Sequence, residues 1–351
     1  MKDLFLLDPS VVFLNHGSFG ACPRPVFEVY QAFQRKLEQQ PVEFLALDRR
    51  FAELLDAARS QLAAYVGAAS GNLAFATNTS SALNAVVRSL DLQAGDEVLL
   101  GDAEYGGMEL LWEFVTRRTG AVLVRRPFDE LDLGPRTRVV FCSHIEWISG
   151  RVNDVASLCA RARSAGALSI VDGAHAPGQI DLDLEAIGAD VYAGNCHKWL
   201  CAPKGSAFLY ARPEAQAPID PLVVSWDWAD GAAFHELHRW QGTRDPSAYL
   251  AVPAAIEFQA AHAWPSVRER CHRLLTRIRD EIGLEPLTDT YVQMLGFRLP
   301  VKDGAAFKRD LYERHRIEVP VVDTKDGWTL RVSIQGYNDD ADADALIAAL
   351  A

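Results

Sequence analysis

Two short apolar runs in the middle of the chain stop abruptly at polar residues, and this pairing limits the architecture more than any other feature of the 351 residues. The first, Ala167 to Val171, ends at Asp172-Gly173-Ala174-His175, and the second, Asp190 to Ala193, ends at Asn195-Cys196-His197-Lys198. Each has the length and breaker-bounded ends of a buried strand. Between them Leu182 to Ile187 fits a short helical crossover. The segment reads as a βαβ unit, whose parallel strands bring both run ends to one edge of a sheet. Open α/β sheets bind ligands at that carboxyl edge. An acid and a lysine delivered there from neighbouring strands can grip the two ends of one flat ligand.

Pyridoxal phosphate needs such an arrangement. A lysine must tether its aldehyde carbon, and a carboxylate must keep its pyridine nitrogen protonated through an ion-paired hydrogen bond. Lys198 and Asp172 fit those two roles. His175, three residues beyond the acid, is placed to bond the ring's 3-oxygen, and Asn195 and His197 to reach the phosphate. Taken singly these residues say less. An Asp between a strand and a helix is as readily an N-cap, and a His-Lys pair is ordinarily a solvated turn. The spacing of the set carries the reading. D-G-A-H-x-x-G from Asp172, G-A-D ending at Asp190 and H-K-W-x-x-x-P-K-G from His197 resemble the class V aminotransferase family, and within it the isopenicillin N epimerase-like branch. The resemblance runs over nearly the full length.

That resemblance implies an α/β, pyridoxal phosphate-dependent protein of fold type I. A large domain (21–252) with a mainly parallel sheet flanked by helices would bind the cofactor, an N-terminal segment (1–20) would lie near the active site, and a linking helix would lead into a small α+β C-terminal domain (253–351). The residues named so far become catalytic candidates: Lys198, Asp172 and His175. Several further stretches gain a role only through the resemblance. Phe13 to Gly20, F-L-N-H-G-S-F-G, reads from its residues as an entry loop; the family places it across the mouth of the site, with Asn15, His16 and Gly17 contacting substrate. Leu73 to Ala76 reads as a strand, followed by Thr77 to Ser81 and a helix through Leu90. Hydroxyl residues at a helix start serve either as N-caps or as an anion site; the family implies the second, with Thr79 and Ser80 in a phosphate cup.

A strand from Asp96 to Leu100 feeds a loop where the family sets an aromatic or histidine ring over the cofactor face, and Tyr105 is the candidate. The strand from Arg138 to Cys142 ends at S-H-I-E-W-I-S-G, where Trp147 stands at a position often held by Asn in the family. Gly242 and Thr243 match a segment that in the family reaches the cofactor phosphate of the neighbouring subunit, which implies a homodimer with shared sites. One long helix is expected from about Pro253 to Ile282. Arg331 opens R-h-S-x-x-x-Y-N, ending at Asn338. A strand arginine is commonly just solvated, but its planar fork suits bidentate capture of a carboxylate, and the family implies that it holds the α-carboxylate of an amino-acid substrate.

Bulk properties narrow the alternatives. Hydrophobic content of 49% and charged content of 23% describe an ordinary globular protein. A net charge of -12 argues against a broad nucleic-acid footprint, while leaving a small anionic substrate open. The first ten residues carry Asp3 and Asp8 around a four-residue apolar run, too short and acidic for a signal peptide. No window approaches 18 uninterrupted apolar residues, so no membrane span is expected. Six cysteines without framework spacing read as reduced thiols in a cytoplasm. His235-Glu236-Leu237-His238 lacks the i, i+4 histidine spacing of a zinc motif, so no metal is expected. Neither a dinucleotide fingerprint nor a nucleophile elbow is present.

The implied chemistry starts with proton transfer at the substrate α-carbon by Lys198, after which epimerisation, transamination or elimination can follow. Persulfide-forming desulfuration needs a cysteine before the carboxylate-binding arginine, and Arg316 to Trp328, RIEVPVVDTKDGW, has none. An epimerase-like enzyme is the nearest reading. A carbon-sulfur lyase or an aminotransferase on the same scaffold is the alternative, since fold alone does not assign reaction type.

Overall fold

The computed structural model describes residues 1–350. A two-residue strand, β1 (Val12–Phe13), starts the chain. The apolar runs downstream become β2 (Leu73–Ala76), β3 (Glu97–Gly101), β4 (Val122–Arg126), β5 (Thr137–Ser143), β6 (Leu168–Asp172), β7 (Val191–Asn195) and β8 (Ala207–Ala211). β2 to β8 form one sheet in the order β2-β8-β7-β6-β5-β3-β4. Neighbours run parallel except at β8, which is antiparallel to both β2 and β7.

Strands of this kind are apolar on both faces because helices cover both. Val98, Val139, Phe141, Ile170 and Val191 face one core, together with Leu83 and Val86 of the helix Thr79–Ser89 and Trp112 of the helix Gly106–Thr119. Leu99, Val140, Cys142, Val171 and Tyr192, the alternate positions, face the other core, which includes Leu158 and Ala162 of the helix Val155–Ala165. The expected crossover is there as the short helix Leu184–Ile187, capped by Asp183, whose Oδ1 accepts the Ala186 N–H. Register then fixes the site edge. Ser143 pairs with Asp172 and Asp172 with Ala193, so β5 and β6 end level and β7 runs two residues further at the same edge.

The C-terminal part adds β9 (Met294–Arg298), β10 (Ile317–Glu318), β11 (Val321–Thr324) and β12 (Gly327–Ser333). β11, β12 and β9 form an antiparallel sheet, and β1 pairs in parallel with β10. The N-terminal segment therefore belongs to the C-terminal strands by hydrogen bonding, although more than 300 residues separate them in sequence, as the Val12 to Ile317 pairing shows.

The single helix expected from Pro253 to Ile282 is two helices, Val252–Ala261 and Trp264–Glu281. Pro265 lacks an N–H and its ring would strike the carbonyl four residues back, so a continuous helix cannot pass through it. Ala263 takes up the break at φ 47° and ψ 58°, in the left-handed region. Among the described residues no helix is long and apolar enough to cross a membrane.

The N-terminal segment closes on the sheet edge at Gly20. A Cβ there would strike the His197 carbonyl oxygen and the Lys198 Cα, and the backbone sits at φ 69°. Gly20→Ala is expected to destabilise the protein by about 2 kcal/mol or more, combining left-handed strain with a backbone clash. A melting temperature unchanged in calorimetry would show that this approach is not as close as described.

Candidate active site

Lys198 lies three residues past the end of β7, in a turn closed by the Cys201 N–H donating to the Lys198 carbonyl at 3.0 Å. Its Nζ stands 3.1 Å from His175 Nε2. The protonation of this pair follows from a neighbour. The Trp199 indole N–H, which can only donate, lies 3.2 Å from His175 Nδ1. Nδ1 is therefore an acceptor, and a neutral His175 carries its proton on Nε2, facing the lysine. Burial holds the imidazole neutral, well below its ordinary pKa, with the charge of Lys198 adding to the effect. Burial likewise lowers Lys198 to about 7, helped by Arg331 and opposed by Asp172. The result is an amine about half unprotonated at neutral pH, whose free form accepts a hydrogen bond from His175.

Asp172 ends β6 on the neighbouring strand and is buried. Burial raises its pKa to about 6, against the opposing pull of the Ala174 N–H and of Lys198. Its Oδ1 accepts that N–H at 2.8 Å. The acid and the lysine thus lie on adjacent strand ends and interact electrostatically. They are not on opposite sides of the molecule.

At the start of the helix Thr79–Ser89 the N-cap is Asn78, whose side chain takes the Ser81 N–H at 2.8 Å. Capping by Asn78 leaves the hydroxyl residues free for other work. Asn195 Oδ1 receives the Thr79 N–H at 3.0 Å, tying β7 to this helix start. The Thr79 hydroxyl is buried with no hydrogen-bond partner, and Ser80 at the second helical position has no intrahelical acceptor for its N–H. A buried, unsatisfied donor at a helix N-terminus suits an anion. His197 donates Nδ1–H to the Ser206 carbonyl at 3.0 Å, and burial lowers its pKa to about 4. A phosphate beside Nε2 would raise that value and turn Nε2 into a donor.

Arg331 lies on β12 and is buried. It donates from Nη1 to the Trp147 carbonyl at 2.6 Å and from Nη2 to Ser18 Oγ at 2.8 Å, with Asn15 Oδ1 at 3.5 Å. Its Nε has no partner, and among the described residues no carboxylate lies within ion-pair distance. Burial lowers its pKa to about 10. A buried guanidinium without an acid is costly unless something anionic arrives.

The other expected residues divide. Tyr105 stands 47% exposed at the rim, edge-on to Trp147 with ring centroids 5.8 Å apart. Trp147 anchors that loop by donating Nε1–H to the Glu104 carbonyl at 2.9 Å. Gly242 and Thr243 lie on a loop between short helices and form no hydrogen bond with the residues above among those described. Two expected substrate contacts point inward. His16 is fully buried, accepting at Nδ1 from the Tyr337 hydroxyl at 3.1 Å and donating from Nε2 to the Lys198 carbonyl at 3.0 Å. Gly17 is packed so that a Cβ would crowd Met294, Ser333 and Trp199. Both support the lysine turn from beneath, because the chain between Asn15 and Gly20 curls into a short helix, His16–Phe19, that turns them inward. Ser18, in the same motif, is the residue that reaches Arg331, and sequence reasoning passed it over.

A carboxylate, a free amine and an anion cup around one sheet edge define a pyridoxal phosphate enzyme of fold type I, and the unsatisfied Thr79 hydroxyl and the free Lys198 amine fit that group. Residues 12–298 match the model of the family described as aminotransferase class-V, and the chain belongs to that family. It is 41% identical to the isopenicillin N epimerase of Amycolatopsis lactamdurans, over 98% of this chain and 95% of that protein. With the isopenicillin N epimerase of Streptomyces clavuligerus the identity is 39%, over the same shares of each. In fold it is similar to the cysteine desulfurase CsdA of Escherichia coli, with a TM-score of 0.85 at 23% identity, covering 99% of this chain and 96% of that one. The protein is a pyridoxal phosphate-dependent enzyme.

Only a free amine attacks an aldehyde, so the lowered Lys198 pKa has a kinetic signature. Cofactor capture by the cofactor-free protein, followed by visible absorbance, is expected to speed up through a midpoint near pH 7 and level off above it. A midpoint at about 10, ordinary for an exposed lysine, would contradict the burial argument. Trp199→Phe should move the midpoint upward, because His175 Nδ1 can then carry the proton and Nε2 can accept from a protonated lysine. A midpoint that stays put removes Trp199 from this role.

Proposed function

We propose that the protein acts at the α-carbon of an amino acid as an epimerase of the isopenicillin N epimerase type. The observation that carries the amino-acid reading is Arg331, a buried cation with no acid partner, close enough to Lys198 to lower its pKa. The epimerase outcome is supported by identities of 41% and 39% to two such enzymes over nearly the whole chain.

When bound, pyridoxal phosphate supplies an electron-accepting ring that stabilises negative charge at the α-carbon. In this reading Thr79, Ser80, Asn195 and His197 would hold its phosphate end, and Asp172, ionised above about pH 6, would accept the hydrogen bond of its ring nitrogen. His175 keeps its Nε2 proton aimed at the lysine amine, where it would also be available to the cofactor's ring oxygen. Arg331, with Asn15 and Ser18 behind it, fixes the substrate carboxylate and so the direction of the α-hydrogen. Lys198 Nζ, unprotonated in a large fraction of molecules at neutral pH, takes that proton. A proton delivered from solvent to the opposite face, with the proton on Lys198 released to solvent, gives the epimer and restores the base. Tyr105 and Trp147 wall the site toward solvent. Persulfide formation has no nucleophile here, since 316–328 contains no cysteine.

The reading extends to assembly. A homodimer would bring Gly242 and Thr243 of each copy to the phosphate end of the other's site. Supporting it, these residues stand on a surface loop with Gly242 at φ 92°, and nearby Val224 and Trp226 are 60% and 83% exposed, an apolar surface of the kind partners cover. A cytoplasmic setting fits six free cysteines. The division of the chain near residue 252, with a C-terminal lobe carrying Arg331, belongs to the same proposal.

Incubating the cofactor-loaded enzyme with a panel of amino acids in deuterated water tests the reaction type. Deuterium at Cα with loss of optical purity is expected; keto acid, or pyruvate with a released thiol, would overturn the epimerase reading. Arg331→Ala should raise KM roughly 30-fold or more while cofactor stays bound, from the about 2–5 kcal/mol attached to truncating a buried charge partner. An unchanged KM for every amino acid turned over would take Arg331 out of the site.

A further inference from the structure

Glu104 is a buried carboxyl that the chemistry above does not use. It lies in the loop after β3, one residue before Tyr105, and its side chain folds back onto the end of β5. Oε1 takes the Ser143 N–H at 3.0 Å, and Oε2 stands 2.5 Å from the Ser143 hydroxyl oxygen. Close packing keeps it there: a Cβ on Gly101 would strike Oε1. The Glu104 carbonyl meanwhile accepts Nε1–H from Trp147, whose own carbonyl accepts from Arg331. One residue therefore fastens the Tyr105 loop, the Trp147 loop and, through Trp147, the guanidinium of Arg331.

The charges around it decide its state. Among the described residues no lysine, arginine or histidine lies within 4 Å of the Glu104 carboxyl. Asp172 at the end of β6 and Glu146 after β5 both act on it with like charge. Cys142 on β5 stays a neutral thiol and His144 a neutral imidazole, each through burial. Asp102 and Glu109 stand in its own loop and the helix that follows, and Arg298, Asp323, Lys325 and Asp326 face that loop across a cleft. The two cations there are engaged elsewhere, Lys325 with Asp102 at 2.9 Å and Arg298 with Glu285 at 3.2 Å. A desolvated carboxylate among other acids and without a cation is costly. Burial pushes the Glu104 pKa up to about 8, against the two Ser143 hydrogen bonds and with Asp172 and Glu146 adding to the rise. The hydrogen bonds suit the protonated form, which accepts at one oxygen and donates from the other. Oε1 is then the oxygen that takes the Ser143 N–H, and Oε2–H donates to the Ser143 hydroxyl.

We propose that Glu104 works as a neutral acid and is a positioning residue: its protonated side chain clasps the Tyr105 and Trp147 loops at the mouth of the site, and loss of its proton in alkaline solution releases them. Ionisation sets like charge against Asp172 and Glu146, which swinging the residue outward to water relieves. Trp147 then loses the acceptor for its indole, and Arg331 the fixed carbonyl beside it. The proton passes to solvent, and no bond to substrate or cofactor changes.

The cofactor-loaded protein and its Glu104→Gln variant test this, because Gln keeps the accepting and donating pattern of the protonated acid and cannot ionise. Wild type at neutral pH is expected to show the infrared carbonyl band of a protonated carboxyl that the variant lacks. The unfolded chain gives up the Glu104 proton near 4.5 and the folded one near about 8, so the contribution of the neutral form is full below the first value and lost on rising through the second. In calorimetry the melting temperature of wild type should therefore fall below that of Glu104→Gln by several degrees, in a gap that opens above 4.5 and levels off above about 8. Beyond that pH, KM for the amino acid should rise severalfold in wild type relative to the variant, with little change in kcat. Ser143→Ala removes a hydroxyl that favours the ionised form and should move the alkaline midpoint upward, a measure that holds even if the Gln variant does not fold. A missing infrared band, a stability gap independent of pH, or a midpoint unmoved by Ser143→Ala would overturn the proposal. Only the KM arm rests on the amino-acid reading: the band and the gap without turnover of any amino acid would keep Glu104 in this role and remove that reading.

Discussion

The structure depends on holding two basic side chains, the buried Arg331 and the largely desolvated Lys198, at one sheet edge, with Asp172 at an adjacent strand end acting on the lysine. Desolvation disfavours a buried charge by several kcal/mol per ion, and the two groups respond differently. The lysine gives up its proton near neutrality, while the guanidinium keeps its charge. One becomes a nucleophile and base; the other becomes an empty seat for a carboxylate. The same burial thus supplies both a reactive amine and an anchoring site.

Much of the remaining architecture holds that edge in place. The β5-β6-β7 register sets Asp172 and the lysine turn side by side. Beneath the turn, His16 donates to the Lys198 carbonyl and Trp199 orients His175. β12 brings Arg331 from the far end of the chain, and β1 travels with it by pairing to β10. The site is assembled from three distant stretches, and Trp147 joins two of them, with its indole on the Glu104 carbonyl and its own carbonyl on Arg331.

The large sheet was legible in the sequence because each strand is a bounded apolar run and the parallel arrangement follows from the βαβ spacing. Asp172, His175 and Lys198 could be grouped because they follow strand ends directly. What could not be read is what side chains do after the chain curls. His16 and Ser18 sit in one motif, yet a single helical turn sends the first under Lys198 and the second to Arg331. Asn78 as cap, in place of its hydroxyl neighbours, depends on backbone angles at the helix entry. The break at Ala263 had a visible sign in Pro265, outweighed by the helical spacing of apolar residues on either side. Trp199 had no role assigned from the sequence, and its hydrogen bond to His175 emerges only once the two segments meet.

The central claim is that the buried amine of residue 198 is the point of cofactor attachment. Borohydride reduction of the protein loaded with pyridoxal phosphate, followed by digestion and peptide mass mapping, addresses it directly. The account requires the pyridoxyl group on the peptide containing Lys198, at the Lys198 side chain. Finding it on Lys204, whose amine donates to the Gly20 carbonyl at 3.1 Å, or on any other lysine, would contradict the account.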